Sequence, residues 1–261
     1  MGLKKVYRLW DFDSERENPV LTHYIPEIVR SEWTVVIFPG GGYEFRSAYE
    51  GEGYAEFFNK NGINSFVVDY RVLEHFPCQL ADARRAIRFL RKNSSSLGVN
   101  KNKIAVMGSS AGGHLAALLS TYKELLSCEP YDNLDEEDYL PNAQILCYPV
   151  IHLTLPFGHV DSAKNLLQEQ YNALAEKLEP DKLVTSQTPP AFIWHTFGDK
   201  VVSVLNSIAY ATALSENNVD AELHIFPNGE HGMGLADKTD NVEWKHIAQW
   251  SKLLLKWLEL L

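Results

Sequence analysis

Cysteine is scarce in this 261-residue chain: Cys78, Cys128 and Cys147 are the only three, and no two form a C-x-x-C pair. That excludes a disulfide framework and a cysteine-based metal centre, and it fits free thiols in a reducing compartment. Neither H-E-x-x-H nor H-x-H occurs, so no metal is expected, and no cofactor motif is present. Runs of lysine and arginine are missing too, and the formal net charge is −10. That balance argues against a nucleic-acid partner and for mild repulsion of anionic substrates. No apolar run approaches the roughly 20 residues that a spanning helix needs. Residues 1–19 lack the apolar core of a signal peptide, and Met1-Gly2 is not followed by the Ser or Thr of a myristoylation site. The expectation is a cytoplasmic protein with no membrane partner. No repeat, low-complexity tract or linker divides the chain, so residues 1–261 are expected to form one domain.

What is present is an alternation of strand and helix patterns. Residues 6–12 and 20–25 suggest an antiparallel edge pair. Residues 34–38 (TVVIF), 65–69 (SFVVD), 104–107 (IAVM), 143–150 and 191–195 (AFIWH) are continuous apolar runs, as expected of strands buried on both faces. Residues 221–226 give the last strand. Helical spacing fills 48–61, 80–98, 113–122, 203–217 and 242–260. An acidic connection covers 124–141. The excursion at 152–190 carries one predicted helix, 162–177, and is long enough for a short lid. The alternation predicts an α/β fold: a mostly parallel sheet with helices on both faces.

In such a sheet, ligands bind beyond the carboxyl ends of the strands. After the strand at 104–107 comes Gly108-Ser109-Ser110-Ala111-Gly112, a G-x-S-x-G sequence between strand and helix. That context reads as a nucleophile elbow with Ser110 at its apex, where flanking side chains would collide with the neighbouring strand or helix. The simpler reading of Ser110 is a helix N-cap. After 191–195 comes Gly198-Asp199, and after 221–226 comes His231 between two glycines. A serine hydroxyl needs an imidazole to take its proton, and the imidazole needs a carboxylate to hold its tautomer. Ser110, His231 and Asp199 supply these groups in the chain order of α/β-hydrolases. Asp199 also suits a plain turn. Glu230 and Asp237 lie near, but Glu230 adjoins the histidine it would have to orient. His114, one helical turn beyond Ser110, is within reach of the site but reads first as structural. His195 is expected either to line the pocket or to satisfy a buried bond, without a catalytic role. His152, His159, His224 and His246 show no distinguishing spacing.

Attack on a carbonyl also requires donors for the developing oxyanion, each worth about 3 kcal/mol. Ala111 follows the nucleophile, and its amide is the first expected donor. Pro39-Gly40-Gly41-Gly42-Tyr43 follows the strand at 34–38, and Gly41 and Gly42 are the expected partners. No G-K-[ST] or ribose-binding acid follows, so a phosphate loop is disfavoured. Tyr43, Phe45, Trp194 and Phe197 are placed near the mouth as surfaces for a sugar, Tyr43 first among them.

These segments resemble the α/β-hydrolase esterases near the hormone-sensitive-lipase and acetyl-xylan-esterase groups. The resemblance is carried by PGGGY (39–43), VVDYRV (67–72), DARRAIRFLR (82–91), KIAVMGSSAGGHLAA (103–117), TPPAFIWHTFGD (188–199) and ELHIFPNGEHG (222–232). It implies an α/β-hydrolase fold, with Ser110 as nucleophile, Asp199 as acid, His231 as base, and the glycine loop with Ala111 as oxyanion hole. Lipase relatives read His-Gly-Gly-Gly where this chain has Pro39, which favours the acetyl-esterase branch. The large N-terminal helical cap is missing, which implies an open site. The expected activity is that of a serine carboxylesterase removing short acyl groups, acetyl first, from a small ester, with acetylated xylo-oligosaccharides or other sugars as the alcohol side. An amidase such as an arylformamidase or small peptidase is the alternative. A non-catalytic binder is disfavoured because no triad member is missing.

Overall fold

The β-branched and aromatic runs line up as neighbours in one eight-stranded sheet. The computed structural model describes residues 3–11, 18–126, 132–237 and 241–261; Met1, Gly2, Phe12, Cys128 and part of the acidic connection lie outside that set. The strands are β1 (Leu3–Arg8), β2 (Val20–Ile25), β3 (Thr34–Phe38), β4 (Asn64–Asp69), β5 (Ile104–Ser109), β6 (Ala143–Cys147), β7 (Ala191–Thr196) and β8 (Ala221–Phe226), in the order β1-β2-β4-β3-β5-β6-β7-β8. β2 pairs antiparallel with β1 and β4, and every other neighbouring pair is parallel. β1 was expected at 6–12. It ends at Arg8 because the ladder with β2 runs from Leu3↔Ile25 to Arg8↔Val20.

Helices cover both faces, and the strand period of two decides which residue meets which layer. Val35 and Ile37 point to the side of Tyr54 and Phe58 in α1 (Ala48–Lys60) and of Trp250 and Leu254 in the closing helix. Val36 and Phe38 point to the other side, with α2 (Cys78–Lys92), its one-turn continuation α3 (Ser94–Leu97) and α4 (Ala111–Thr121). That layer is completed by α5 (Val160–Leu167) and α7 (Leu205–Glu216). Full burial of each such large apolar side chain stabilises by about 2 kcal/mol.

Two predicted helices are broken. The expected helix at 162–177 divides into α5, a 3-10 turn, α6 (Tyr171–Leu174) and a further 3-10 turn. Gln168 is the reason: it adopts φ 48, outside the helical region, and donates its side-chain amide to the Leu73 carbonyl. The expected helix at 242–260 is α8 (Val242–Ile247) followed by α9 (Gln249–Leu260), with the division at Ala248. Among the described residues no helix is long and apolar enough to cross a membrane.

β3 has β4 on one side and β5 on the other. The chain reverses its direction of progress across the sheet there, so the loops after β3 and β5 leave adjacent strands at the same edge and open a crevice. The pairing of Phe38 with Gly108 sets the glycine loop directly beside the elbow.

Candidate active site

Ser110 occupies φ 53, ψ −121, between β5 and α4. A non-glycine residue is strained in that region, and the surroundings must hold it there. Ser110 N donates to the Cys147 carbonyl at 3.0 Å, and the Ser110 carbonyl accepts from Val150 N at 3.0 Å and His114 N at 3.1 Å. A Cβ at Gly108 would run into the Gly112 carbonyl, and one at Gly112 into the Phe38 carbonyl of β3. Both flanking glycines are therefore demanded by close approach. Ser110 makes no side-chain cap bond to α4. Its hydroxyl is directed elsewhere.

Ser110 Oγ lies 2.9 Å from His231 Nε2, and His231 Nδ1 lies 2.7 Å from Asp199 Oδ2. A carboxylate only accepts, so Nδ1 carries the imidazole proton and Nε2 accepts from the serine hydroxyl. The other oxygen of Asp199, Oδ1, accepts from the amides of Val201 and Val202, each at 2.9 Å. His195 Nε2 approaches Oδ2 at 3.3 Å. Burial alone pushes the Asp199 carboxyl up, but the bonds from His195, His231 and the Val202 amide outweigh it and hold the group well below the usual carboxylate range. The pairing of Thr196 with Phe226 brings the loops that carry Asp199 and His231 together. Glu230 is exposed on the surface.

The glycine loop is held by nearly all of its polar groups. The Pro39 carbonyl accepts from Tyr70 Oη at 2.7 Å, and Gly40 N donates to Glu50 Oε2 at 3.0 Å. The Gly40 carbonyl accepts from Ser47 N, and the Gly41 carbonyl from Glu44 N and Phe45 N. The Gly42 carbonyl accepts from Asn165 Nδ2 at 2.9 Å. Among the described residues no hydrogen-bond partner is recorded for the amides of Gly41 and Gly42, and both residues line the cleft over Ser110. Gly41 adopts φ 128, which a side chain would strain.

This cleft has a volume of about 370 Å³ and includes His231 and Ser110 in its lining. α5 forms one wall through Asp161, Ser162 and Asn165, with His159 at its N-cap; Glu44 and Phe45 contribute from the glycine loop. The excursion at 152–190 thus borders the site. Tyr43, expected at the mouth, is fully buried: its hydroxyl pairs with His114 Nδ1 at 2.7 Å, and its ring packs edge-on against Tyr70. It supports the loop from below and does not line the cleft. Trp194 is likewise buried, stacked on Trp250 at 4.9 Å. Phe45 is exposed at the cleft; Phe197 is exposed but lies outside the lining. His114 is structural, held between Tyr43 and the Leu178 carbonyl, and burial lowers it to about 4. His195 is also structural, buried against Ser207 and the Val202 carbonyl.

Several lining or adjoining residues escaped the sequence reading, among them Glu50, Tyr148, His159 and Asn165. Glu50 left a signal, since it shares the spacing of Tyr54 and Phe58 on the buried stripe of α1, where a carboxyl is out of place. Burial, first among the causes, holds His159 below its ordinary value. Outside the cleft, His152, Glu179 and Asp181 bring ligand-type atoms within 4.8 Å of one another. Lys182 Nζ lies 3.0 Å from Glu179 Oε2 and His152 Nε2 lies 2.8 Å from Asp181 Oδ2, so these atoms already have partners within the protein.

Residues 21–214 match the protein-family model described as BD-FAE. Endo-1,4-beta-xylanase B of Butyrivibrio fibrisolvens is 36% identical over 214 residues, 78% of this chain and 33% of that protein. The acetylxylan esterase of Xylanibacter ruminicola is 35% identical over 208 residues, 77% of this chain and 41% of that protein. The chain therefore spans well under half the length of these two relatives. The acetyl ester-xyloside bifunctional hydrolase of Caldicellulosiruptor lactoaceticus superposes with a TM-score of 0.88 at 39% identity, covering 98% of this chain and 95% of that one.

Proposed function

This chain belongs to the BD-FAE family and shares the fold of the α/β-hydrolase esterases, and from that premise we propose that it is a serine carboxylesterase that removes acetyl groups. The carrying observation is the hydrogen-bond chain Asp199–His231–Ser110, which opens on a cleft lined by Gly41 and Gly42, whose amides have no partner among the described residues. Ser110 Oγ attacks the ester carbonyl while its proton passes to His231 Nε2. The imidazolium that forms is stabilised by Asp199. Negative charge collects on the former carbonyl oxygen, where the amides of Ala111, Gly41 and Gly42 stand as donors. As the intermediate collapses, His231 returns the proton to the departing alcohol and leaves acetyl-Ser110. Water then attacks this acyl-enzyme along the same route.

The alcohol side of the proposed substrate is a sugar, with acetylated xylo-oligosaccharides first. Support comes from the names of two similar proteins, an acetylxylan esterase and an acetyl ester-xyloside hydrolase. It also comes from the cleft wall, where His159, Asp161 and Asn165 offer polar groups and Phe45 an exposed ring for a sugar face. The same reading takes 1–261 as one α/β-hydrolase domain acting on a small ester, without nucleic acid or membrane. It places the protein in the cytoplasm, which suits Cys78 and Cys147 as free thiols.

The test is a substrate panel of p-nitrophenyl esters of increasing acyl length, acetylated xylo-oligosaccharides and N-formylkynurenine. Acetyl esters should be turned over fastest, and Ser110→Ala should lower kcat by at least about 10⁴-fold. Undiminished turnover in that variant removes Ser110 from the mechanism. Preference for long acyl chains sinks the acetyl assignment, and faster cleavage of N-formylkynurenine moves the chain to the arylformamidases.

A further inference from the structure

Glu50 has no part in the triad, yet it is almost fully buried in α1 while contributing to the cleft lining. Burial pushes its carboxyl up from the ordinary value, against the bonds it accepts from Tyr148 and Gly40. A buried carboxyl is unfavourable unless its lone pairs are satisfied, and here both oxygens are used. Glu50 Oε2 accepts from Gly40 N at 3.0 Å, and Oε1 accepts from Tyr148 Oη at 2.6 Å. Tyr148 Oη in turn accepts from Gly234 N at 3.0 Å and lies 3.2 Å from Tyr54 Oη. Tyr54 Oη is 2.8 Å from Ser109 Oγ, one residue before the nucleophile. The Tyr148 ring packs edge-on against His231, with ring centres 5.2 Å apart. One side chain therefore ties together the glycine loop, the elbow and the loop that carries His231.

We propose that Glu50 is a positioning residue for the oxyanion hole: it takes up the Gly40 amide, so that Gly41 and Gly42 present theirs to the cleft, and through Tyr148 it keeps that loop in register with Ser109 and Gly234. This inference rests on the oxyanion reading given above. The physical demand is one of distance. Oxyanion donors act only when fixed in place before the reaction, and a displacement near 1 Å removes most of their effect. The reach of the side chain, from α1 to both Gly40 and Tyr148, is what sets the loop. The charge is not needed. A glutamine of the same length can accept from Gly40 N through its carbonyl and donate to Tyr148 through its amide, while Tyr148 turns its own proton toward Tyr54.

The test compares Glu50→Gln with Glu50→Asp, assayed on p-nitrophenyl acetate with thermal melts alongside. Glu50→Asp keeps the charge but retracts it by one methylene. It should lose about 100-fold in kcat with KM within about threefold of wild type, and its affinity for methylboronic acid, a tetrahedral mimic, should fall in parallel. Glu50→Gln should keep kcat within about fivefold. Wild-type kcat in both variants overturns the proposal, and so does a larger loss in Gln than in Asp, which would assign the role to charge. Should Glu50→Asp not fold, ¹⁵N-glycine NMR on the wild-type protein decides. A slowly exchanging Gly40 amide whose shift moves in Glu50→Gln supports the contact, and exchange at the rate of an open loop overturns it. Failure of the esterase reading looks different: wild type would lack Ser110-dependent turnover while the Gly40 amide still responded to Glu50→Gln.

Discussion

Asp199 accepts more hydrogen bonds than the orientation of one histidine requires. Two backbone amides fix Oδ1, and two imidazoles approach Oδ2. His195 Nε2 faces two acceptors, Asp199 and the Val202 carbonyl, so it is the protonated nitrogen, and Nδ1 accepts from Ser207. The carboxylate is thereby held in place from behind, and His231 meets a fixed partner. Asp199→Asn should preserve the shape but present an amide to a nitrogen that needs an acceptor, which favours the wrong tautomer of His231. The expected loss in kcat on p-nitrophenyl acetate is about 10⁴-fold. Retention of more than about a tenth of wild-type kcat would show that another group orients the base. Tyr43 makes the complementary point. As a letter beside three glycines it looks available for substrate, yet its hydroxyl is consumed by His114 beneath the loop.

Among the elements, the excursion between β6 and β7 has the weakest sequence pattern and a decisive position. α5 puts His159, Asp161 and Asn165 on the cleft, and Asn165 also accepts the task of holding the Gly42 carbonyl. Its far end is anchored by Glu179, a fully buried carboxylate whose Oε1 accepts from Leu153 N, Thr154 N and Thr154 Oγ1. Removing that acceptor leaves the buried Leu153 amide and the part-buried Thr154 amide without a partner, at about 1–3 kcal/mol for the buried one and less for the other. Glu179→Ala should therefore lower the unfolding free energy in urea by about 3 kcal/mol. It should also raise KM for an acetylated xylo-oligosaccharide more than KM for p-nitrophenyl acetate, because the wall is loosened while the triad is not. Equal stability of this variant and wild type would show that the excursion is held by packing alone.

For the whole molecule, the reversal of strand order at β3 and the two helical layers put the candidate groups Ser110, Asp199 and His231 at one edge of the sheet. The acid side of stability should report on that arrangement. The Asp199 carboxyl is held below its ordinary value in the folded protein. Such a group contributes stability above its unfolded pKa of about 3.9 and loses it as pH falls toward the folded value. The difference in unfolding free energy between wild type and Asp199→Asn should be constant from pH 7 to about pH 5 and shrink below about pH 4. Urea titrations across that range check it, and a difference that grows on acidification would contradict the sign. Glu50, shifted upward by burial, runs the other way. Its substitution by glutamine should leave the neutral-pH midpoint unchanged or higher.

The candidate triad was legible in the sequence because each member follows its own strand. A strand's end is a local event, announced by an apolar run and a glycine, and the parallel sheet brings all such ends to one edge. Gly108 and Gly112 were legible for the same reason, since their steric role depends on the turn itself. Glu50, Tyr148 and His159 follow no such rule. Glu50 shows itself only as a carboxyl on the buried stripe of α1, with nothing to say what it bonds; Tyr148 reads as the residue after a strand, and His159 as part of a polar excursion. Only the packing of α1 against β4 and β3, and of α5 across the cleft, turns them toward the site. The sequence by itself determined the sheet, the elbow and the order of the three candidate groups. The tertiary structure alone decided how the glycine loop is held, with the Gly40 amide on Glu50 and the Gly42 carbonyl on Asn165, 123 residues away in the chain.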